Sequence, residues 1–289
     1  MISILTTVGI VYLMLLCALF IFQRHLLYHP GHEVPQQSRA GVPEMATHHM
    51  SADDGVPLTG WYAPPASQRP ILVFFHGNAG TIGDRGFKVR PFLDEGYGVL
   101  LAGYRGFSGN PGKPSEQGLY RDARAAVRFL SDRGVAAKQL VLYGESLGSG
   151  IAVHMAVELA EQGTPVGGVV LEAPYTSIPD VAATQYPFVP VRFLVWDRFD
   201  SASKIDRIRA PLLVVHGDSD PTIPIKFGRR LFAAAVEPKE AQWIAGARHT
   251  DLADFGLFQH VDGFVSRHWN VPAKDHGERG SVLKPKHVF

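Results

Sequence analysis

Ser146 stands with a glycine two residues to either side, in the run QLVLYGESLGSGIAVHMAVELA. An apolar stretch ends at Tyr143, and a helix-period stretch begins directly after the second glycine. That setting predicts a tight strand-to-helix turn, with the hydroxyl raised above a sheet at the positive end of the helix. A hydroxyl is a poor nucleophile near neutral pH, so it needs a base, and the base needs an acid to orient it. On a turn of this kind the partners come in the chain order serine, acid, histidine. The run LLVVHGDSDPTIP supplies Asp218 and Asp220, and AQWIAGARHTD supplies His249. Asp220 is the favoured acid, since it lies deeper in its loop and Pro221 and Pro224 stiffen the residues after it. Asp218 is expected to satisfy backbone N–H groups in the turn, and whether it assists Asp220 stays open. The other histidines are weaker bases for the role. His48, His49 and His287 follow no strand end, and His154 lies on the helix after the serine.

Attack by Ser146 on a carbonyl would leave a negative oxygen that needs preorganised N–H donors. Leu147, the next residue, offers one. The second is expected from His76-Gly77-Asn78-Ala79-Gly80, which follows the apolar run ILVFF, with Asn78 as the donor. The implied reaction is two-step acyl transfer on a carboxylic ester or thioester through an acyl-enzyme, with a substrate that is lipid-like or acylated. An amide or peptide hydrolase with the same three residues, and a non-catalytic membrane scaffold, are the competing readings. No cofactor is expected: there is no HExxH or paired-cysteine motif for a metal, and no GxGxxG or Walker pattern after the first strand of the parallel set. Lys+Arg of 28 against Asp+Glu of 27, with no dense basic run, argues against nucleic acid. With one cysteine, Cys17, no disulfide can form within the chain.

The elements that must position these groups are set by periodicity. Residues 57–64, 71–75, 98–103, 139–143, 168–171 and 212–215 read as short strands, the later ones as continuous apolar runs. Helical spacing over 119–130, 151–160, 227–236 and 252–269 alternates with them. This predicts a mostly parallel α/β sheet with helices on both faces, over residues 47–269. Residues 173–198 break the alternation with four prolines and with Tyr175, Tyr186, Phe188, Phe193 and Trp196, which predicts a small lid. Those aromatics are expected to line an acyl site or to form the lid's own core. Residues 270–289 read as a polar tail.

Residues 2–22 carry no charge, and as a helix would reach about 30 Å, the thickness of a bilayer core. An uncleaved single-pass membrane anchor is the reading preferred over a signal peptide or a docked helix, with 23–46 as a polar connector. Arg24 and Arg39 follow the span and only the α-amino group precedes it, so the side of the membrane that bears the main domain is left open. Oligomeric state is likewise left open.

The ordered set of motifs resembles the α/β-hydrolase superfamily, and within it the bud-emergence-protein-like branch of membrane-anchored serine hydrolases. The resemblance rests on residues 76–80 (HGNAG), 104–109 (YRGFSG), 112–118 (GKPSEQG), 144–148 (GESLG), 172–177 (EAPYTS), 216–220 (HGDSD) and Arg248-His249. By that resemblance Ser146, Asp220 and His249 take the triad roles, and Leu147 and Asn78 the oxyanion roles. Phe107 departs from the pattern, where tyrosine is more usual. The resemblance implies ester or thioester hydrolysis, an N-terminal membrane segment and a short lid.

Overall fold

The computed structural model describes residues 3–66 and 69–269, so the tail at 270–289 lies outside the described residues. Its centre is an eight-stranded sheet. In chain order the strands are β1 (Ala46–Ser51), β2 (Pro57–Ala63), β3 (Ile71–Phe75), β4 (Gly98–Leu101), β5 (Leu140–Glu145), β6 (Gly168–Glu172), β7 (Leu212–Gly217) and β8 (Lys239–Ile244). Their spatial order is β8-β7-β6-β5-β3-β4-β2-β1. Only β2 runs against the other strands, antiparallel to both of its neighbours, β1 and β4. Every residue of β3, β4, β6 and β7 is buried, as expected for strands covered on both faces.

Two apolar clusters fill those faces. One gathers Phe75, Leu142, Ile151, Leu171 and Val214 beneath α3 (Glu116–Ser131) and α4 (Leu147–Glu161). The other joins Phe74, Val141, Tyr143 and Val215 to α2 (Gly86–Asp94) and α8 (Leu257–His268). Sequence periodicity did not pick out α2 or β1. The α2 helix carries Pro91 inside it, and β1 exposes most of its residues. The closing helix starts later than the pattern suggests. Gly256, at φ 78°, separates a short 3-10 turn (Leu252–Phe255) from α8.

The N-terminal helix, α1 (Ile4–Leu27), is long and apolar enough to cross a membrane, by length and composition. It continues past the expected boundary, through Gln23, Arg24 and His25. The chain after it is not a free connector. His29 and Pro30 pair in parallel with Ala79 and Gly80. Among the described residues the remaining α-helices are α5 (Ile178–Gln185) and α6 (Val191–Leu194) in the lid region, and α7 (Lys226–Ala234).

Candidate active site

The sheet register gathers the strand ends. Phe75 is opposite Gly144, Glu145 opposite Glu172, Glu172 opposite Val215, and Gly217 opposite Ile244. The loops that carry Asn78, Ser146, Asp220 and His249 therefore leave the sheet along one edge. Ser146 sits at φ 51° and ψ −116°, a backbone region that residues with a side chain seldom adopt. Its N–H donates to Glu172 O at 2.9 Å and its carbonyl accepts from Ser149 N at 2.9 Å, which fixes the turn from both sides. The flanking glycines serve close approach rather than unusual dihedrals. A Cβ on Gly148 would stand 2.0 Å from Phe75 O, and one on Gly144 2.5 Å from Gly148 O.

Three side chains distant in sequence meet here. His249 Nε2 lies 3.0 Å from Ser146 Oγ, and His249 Nδ1 lies 2.7 Å from Asp220 Oδ2. The Asp220 carboxylate is wholly buried and fully partnered. Oδ1 accepts from Thr222 N and Ile223 N, both at 2.8 Å, and Oδ2 is also 3.2 Å from His216 Nε2. Burial opposes its charge, but hydrogen bonding from His216 and His249 prevails and holds the carboxyl well below the usual carboxylate range. Asp218 points elsewhere: its Oδ1 accepts from Gly246 N at 2.8 Å and from Ser219 Oγ at 2.9 Å. His154 stacks on Tyr120 with ring centroids 3.6 Å apart.

On the opposite side of Ser146, Leu147 opens α4, so its N–H is among those with no intrahelical acceptor. Asn78 lines the same cavity as Ser146 and Leu147. The loop that carries Asn78 is held on two sides. Arg85 donates to Ala79 O at 2.9 Å while its guanidinium grips Glu145, the residue before the nucleophile candidate, at 3.0 and 3.2 Å. Leu27 O at the end of α1 accepts from the Asn78 amide at 2.7 Å, and His29 N, in the short strand after it, donates to Asn78 O at 2.8 Å.

Lys88 extends this network, 2.7 Å from Glu172 Oε1 and 3.5 Å from Glu145. Tyr143 OH donates to the other Glu172 oxygen at 2.8 Å. Burial raises the cost of the Glu145 charge, yet Lys88 and Arg85 bring its carboxyl down to about 2. His76 is fully buried beside Tyr104, and that burial lowers its imidazole to about 3, so it stays neutral.

A cavity of about 330 Å³ opens over Ser146. Leu19 and Leu27 of α1 form one wall, and Val181, Tyr186 and Val195 of the lid form another. The lid aromatics divide. Tyr175 is buried and donates to Leu147 O at 3.1 Å, and Tyr186 lines the cavity. Phe188, Phe193 and Trp196 are 86%, 89% and 51% exposed, so they form neither an acyl pocket nor a lid core. Sequence reasoning overlooked Arg85, His216 and the last turns of α1. His216, four residues before Asp220 in HGDSD, left a readable signal, whereas the reach of Arg85 and Leu27 into the site left none.

A family model described as Serine aminopeptidase, S33 matches residues 66–198. Uncharacterized protein Rv2307c of Mycobacterium tuberculosis is 38% identical over 232 residues, covering 79% of this chain and 81% of that protein. The chain belongs to the α/β-hydrolase superfamily. Protein bem46 of Schizosaccharomyces pombe is 29% identical over 276 residues, covering 88% of this chain and 90% of its own length. Lysophosphatidylserine lipase ABHD12 of Danio rerio is 29% identical over 234 residues, with 69% of this chain and 61% of that protein covered.

Proposed function

We propose that this chain is a membrane-anchored serine hydrolase of carboxylic esters, with Ser146 as nucleophile, His249 as general base and Asp220 as the acid that orients it. The observation that carries the reading is the unbroken relay from Asp220 Oδ2 through His249 to Ser146 Oγ, at 2.7 and 3.0 Å. His249 takes the hydroxyl proton as Ser146 attacks the carbonyl, then returns it to the leaving alcohol or thiol. Water, activated by the same imidazole, releases the acid. The N–H groups of Leu147 and Asn78 receive the developing oxyanion. The apolar walls of the cavity favour an acyl chain, and the lipase activity in the name of the ABHD12 relative agrees with a lipid-like substrate. The anchor is α1, whose apolar run has the length of a bilayer core. The match to bem46 along 88% of the chain supports the bud-emergence-protein-like branch.

The family model named for an aminopeptidase favours one alternative, amide hydrolysis with the same residues. Turnover of p-nitrophenyl esters against matched anilides decides between them. Ester turnover alone is expected, and comparable anilide turnover would replace ester by amide as the assigned bond. Fluorophosphonate labelling tests the nucleophile: Ser146→Ala should abolish it, and undiminished labelling removes the assignment.

A further inference from the structure

The cleft above Ser146 is walled by the very helix whose composition suits it to a membrane. Leu19, Phe20, Gln23, Arg24, Leu26 and Leu27 of α1 all line the cavity, at the spacing of one helix face. The same helix grips the lid along its length. Arg24 pairs with the buried Asp197 through two hydrogen bonds, at 2.8 and 3.2 Å. Gln23 donates to Leu194 O and accepts from Trp196 N at 2.8 Å, and Phe20 meets the Trp196 ring edge-on at 4.8 Å. Further along, Tyr12 OH donates to Phe188 O at 2.7 Å.

These contacts fix depth. Gln23, Arg24 and His25 are the polar step at which the apolar run ends. From Gln23 back to Tyr12 is about 16 Å of helix at 1.5 Å per residue. If α1 spans a bilayer, Phe188 therefore lies about halfway into its hydrocarbon core, which is about 30 Å thick. A soluble surface would gain nothing from Phe188 and Phe193 standing almost fully exposed, but hydrocarbon accepts them. Irregular backbone at that depth must have its polar groups satisfied by protein. Tyr12 and Gln23 do this for Phe188 O, Leu194 O and Trp196 N, three lid groups that lie outside regular hydrogen bonding. Leu27, whose carbonyl holds the Asn78 side chain, is only one turn beyond Arg24. Ser146 thus lies just past the polar boundary, at the level where a membrane lipid carries its ester.

We propose that the substrate is a long-chain acyl ester resident in the bilayer, and that it reaches Ser146 laterally, through the cleft between α1 and the membrane-embedded lid. The acyl chain stays beside Leu19 and Phe20 at hydrocarbon depth while its ester meets the nucleophile. This rests on the serine-ester reading above and specifies its substrate and route.

The test uses the full chain in phosphatidylcholine vesicles and an alkyl fluorophosphonate whose chain ends in a diazirine. Adducts on Ser146 whose photo-crosslinks fall within residues 16–27 and 181–196 are expected. Ser146 adducts with crosslinks confined to the rest of the domain would overturn the route and leave the serine assignment intact. Failure to form any Ser146 adduct would instead overturn the hydrolase reading. As a second measurement, Leu19→Trp narrows the cleft and should lower the ratio of long-chain to short-chain ester turnover by about tenfold, the scale set by pocket fit. An unchanged ratio counts against the route.

Discussion

Asp220→Asn puts the relay under the most specific strain. The substitution is nearly isosteric, and the orientation of the amide is forced by its surroundings. Thr222 N and Ile223 N both donate to Oδ1 at 2.8 Å, so the amide oxygen must take that place. The NH₂ then faces His249 Nδ1, where the carboxylate oxygen was 2.7 Å away. An NH₂ there makes Nδ1 the acceptor and drives the proton to Nε2, the atom 3.0 Å from Ser146 Oγ. An imidazole in that tautomer cannot take the serine proton. In triads of known mechanism the same exchange lowers kcat by about 10⁴, equivalent to about 5.5 kcal/mol of transition-state stabilisation. His216 Nε2, already 2.8 Å from Ile223 O and hence a donor, would meet the NH₂ donor to donor. The folded state should lose about 1–3 kcal/mol in addition. The assay is single-turnover acylation by a p-nitrophenyl ester, with a circular dichroism melt to establish that the variant is folded. A folded variant within tenfold of the wild-type rate would refute the reasoning, and a large loss in Asp218→Asn alone would transfer the role to Asp218.

Neighbouring features set further outcomes. Ser146→Gly relieves a backbone conformation that costs about 1–3 kcal/mol in a residue with a side chain, so it should melt above Ser146→Ala; the reverse order would remove strain from the account of this turn. Gly148→Ala drives a methyl against Phe75 O and His76 O, and should cost both stability and fluorophosphonate labelling; unimpaired labelling would show that the turn relaxes freely. Lys88→Met strands the buried Glu172 and deprives Glu145 of a partner, with an expected loss of about 3–5 kcal/mol in chemical denaturation, and a loss below about 1 kcal/mol would contradict the network. The Glu145 carboxyl titrates lower in the folded state, near 2, than unfolded. Its contribution is therefore complete above the ordinary carboxylate range and lost as pH falls toward 2. Denaturation midpoints from about pH 5 down to about 2.5 should fall less steeply for Glu145→Gln than for wild type, and parallel curves would exclude that contribution.

The candidate site was legible because each of its motifs is local in sequence, although the three side chains are far apart along the chain. The G-x-S-x-G turn, the apolar runs β3, β5, β6 and β7, and the order of Ser146, Asp220 and His249 all stem from backbone sterics and from strands covered on both faces. Those patterns were enough to predict a mostly parallel α/β sheet and to propose the nucleophile, acid and base together. The composition of residues 2–22 likewise revealed an apolar helix, although not where it would stop, since Gln23, Arg24 and His25 read as a terminus until packing gave two of them partners in the lid. What needed the tertiary structure was every contact between side chains remote in the chain. Arg85 reaching Glu145, His216 sharing Asp220, and Leu27 O holding Asn78 depend on loop closures that no periodicity encodes. The placement of Phe188 and Phe193 on the outside of the lid belongs to the same class, because an aromatic residue carries no sign of which surface it will meet. Sequence alone determined which groups could do chemistry and which segment suited a membrane. Only the fold decided that the apolar N-terminal helix and the cleft above Ser146 share a wall, because packing, not local propensity, sets the distance between them.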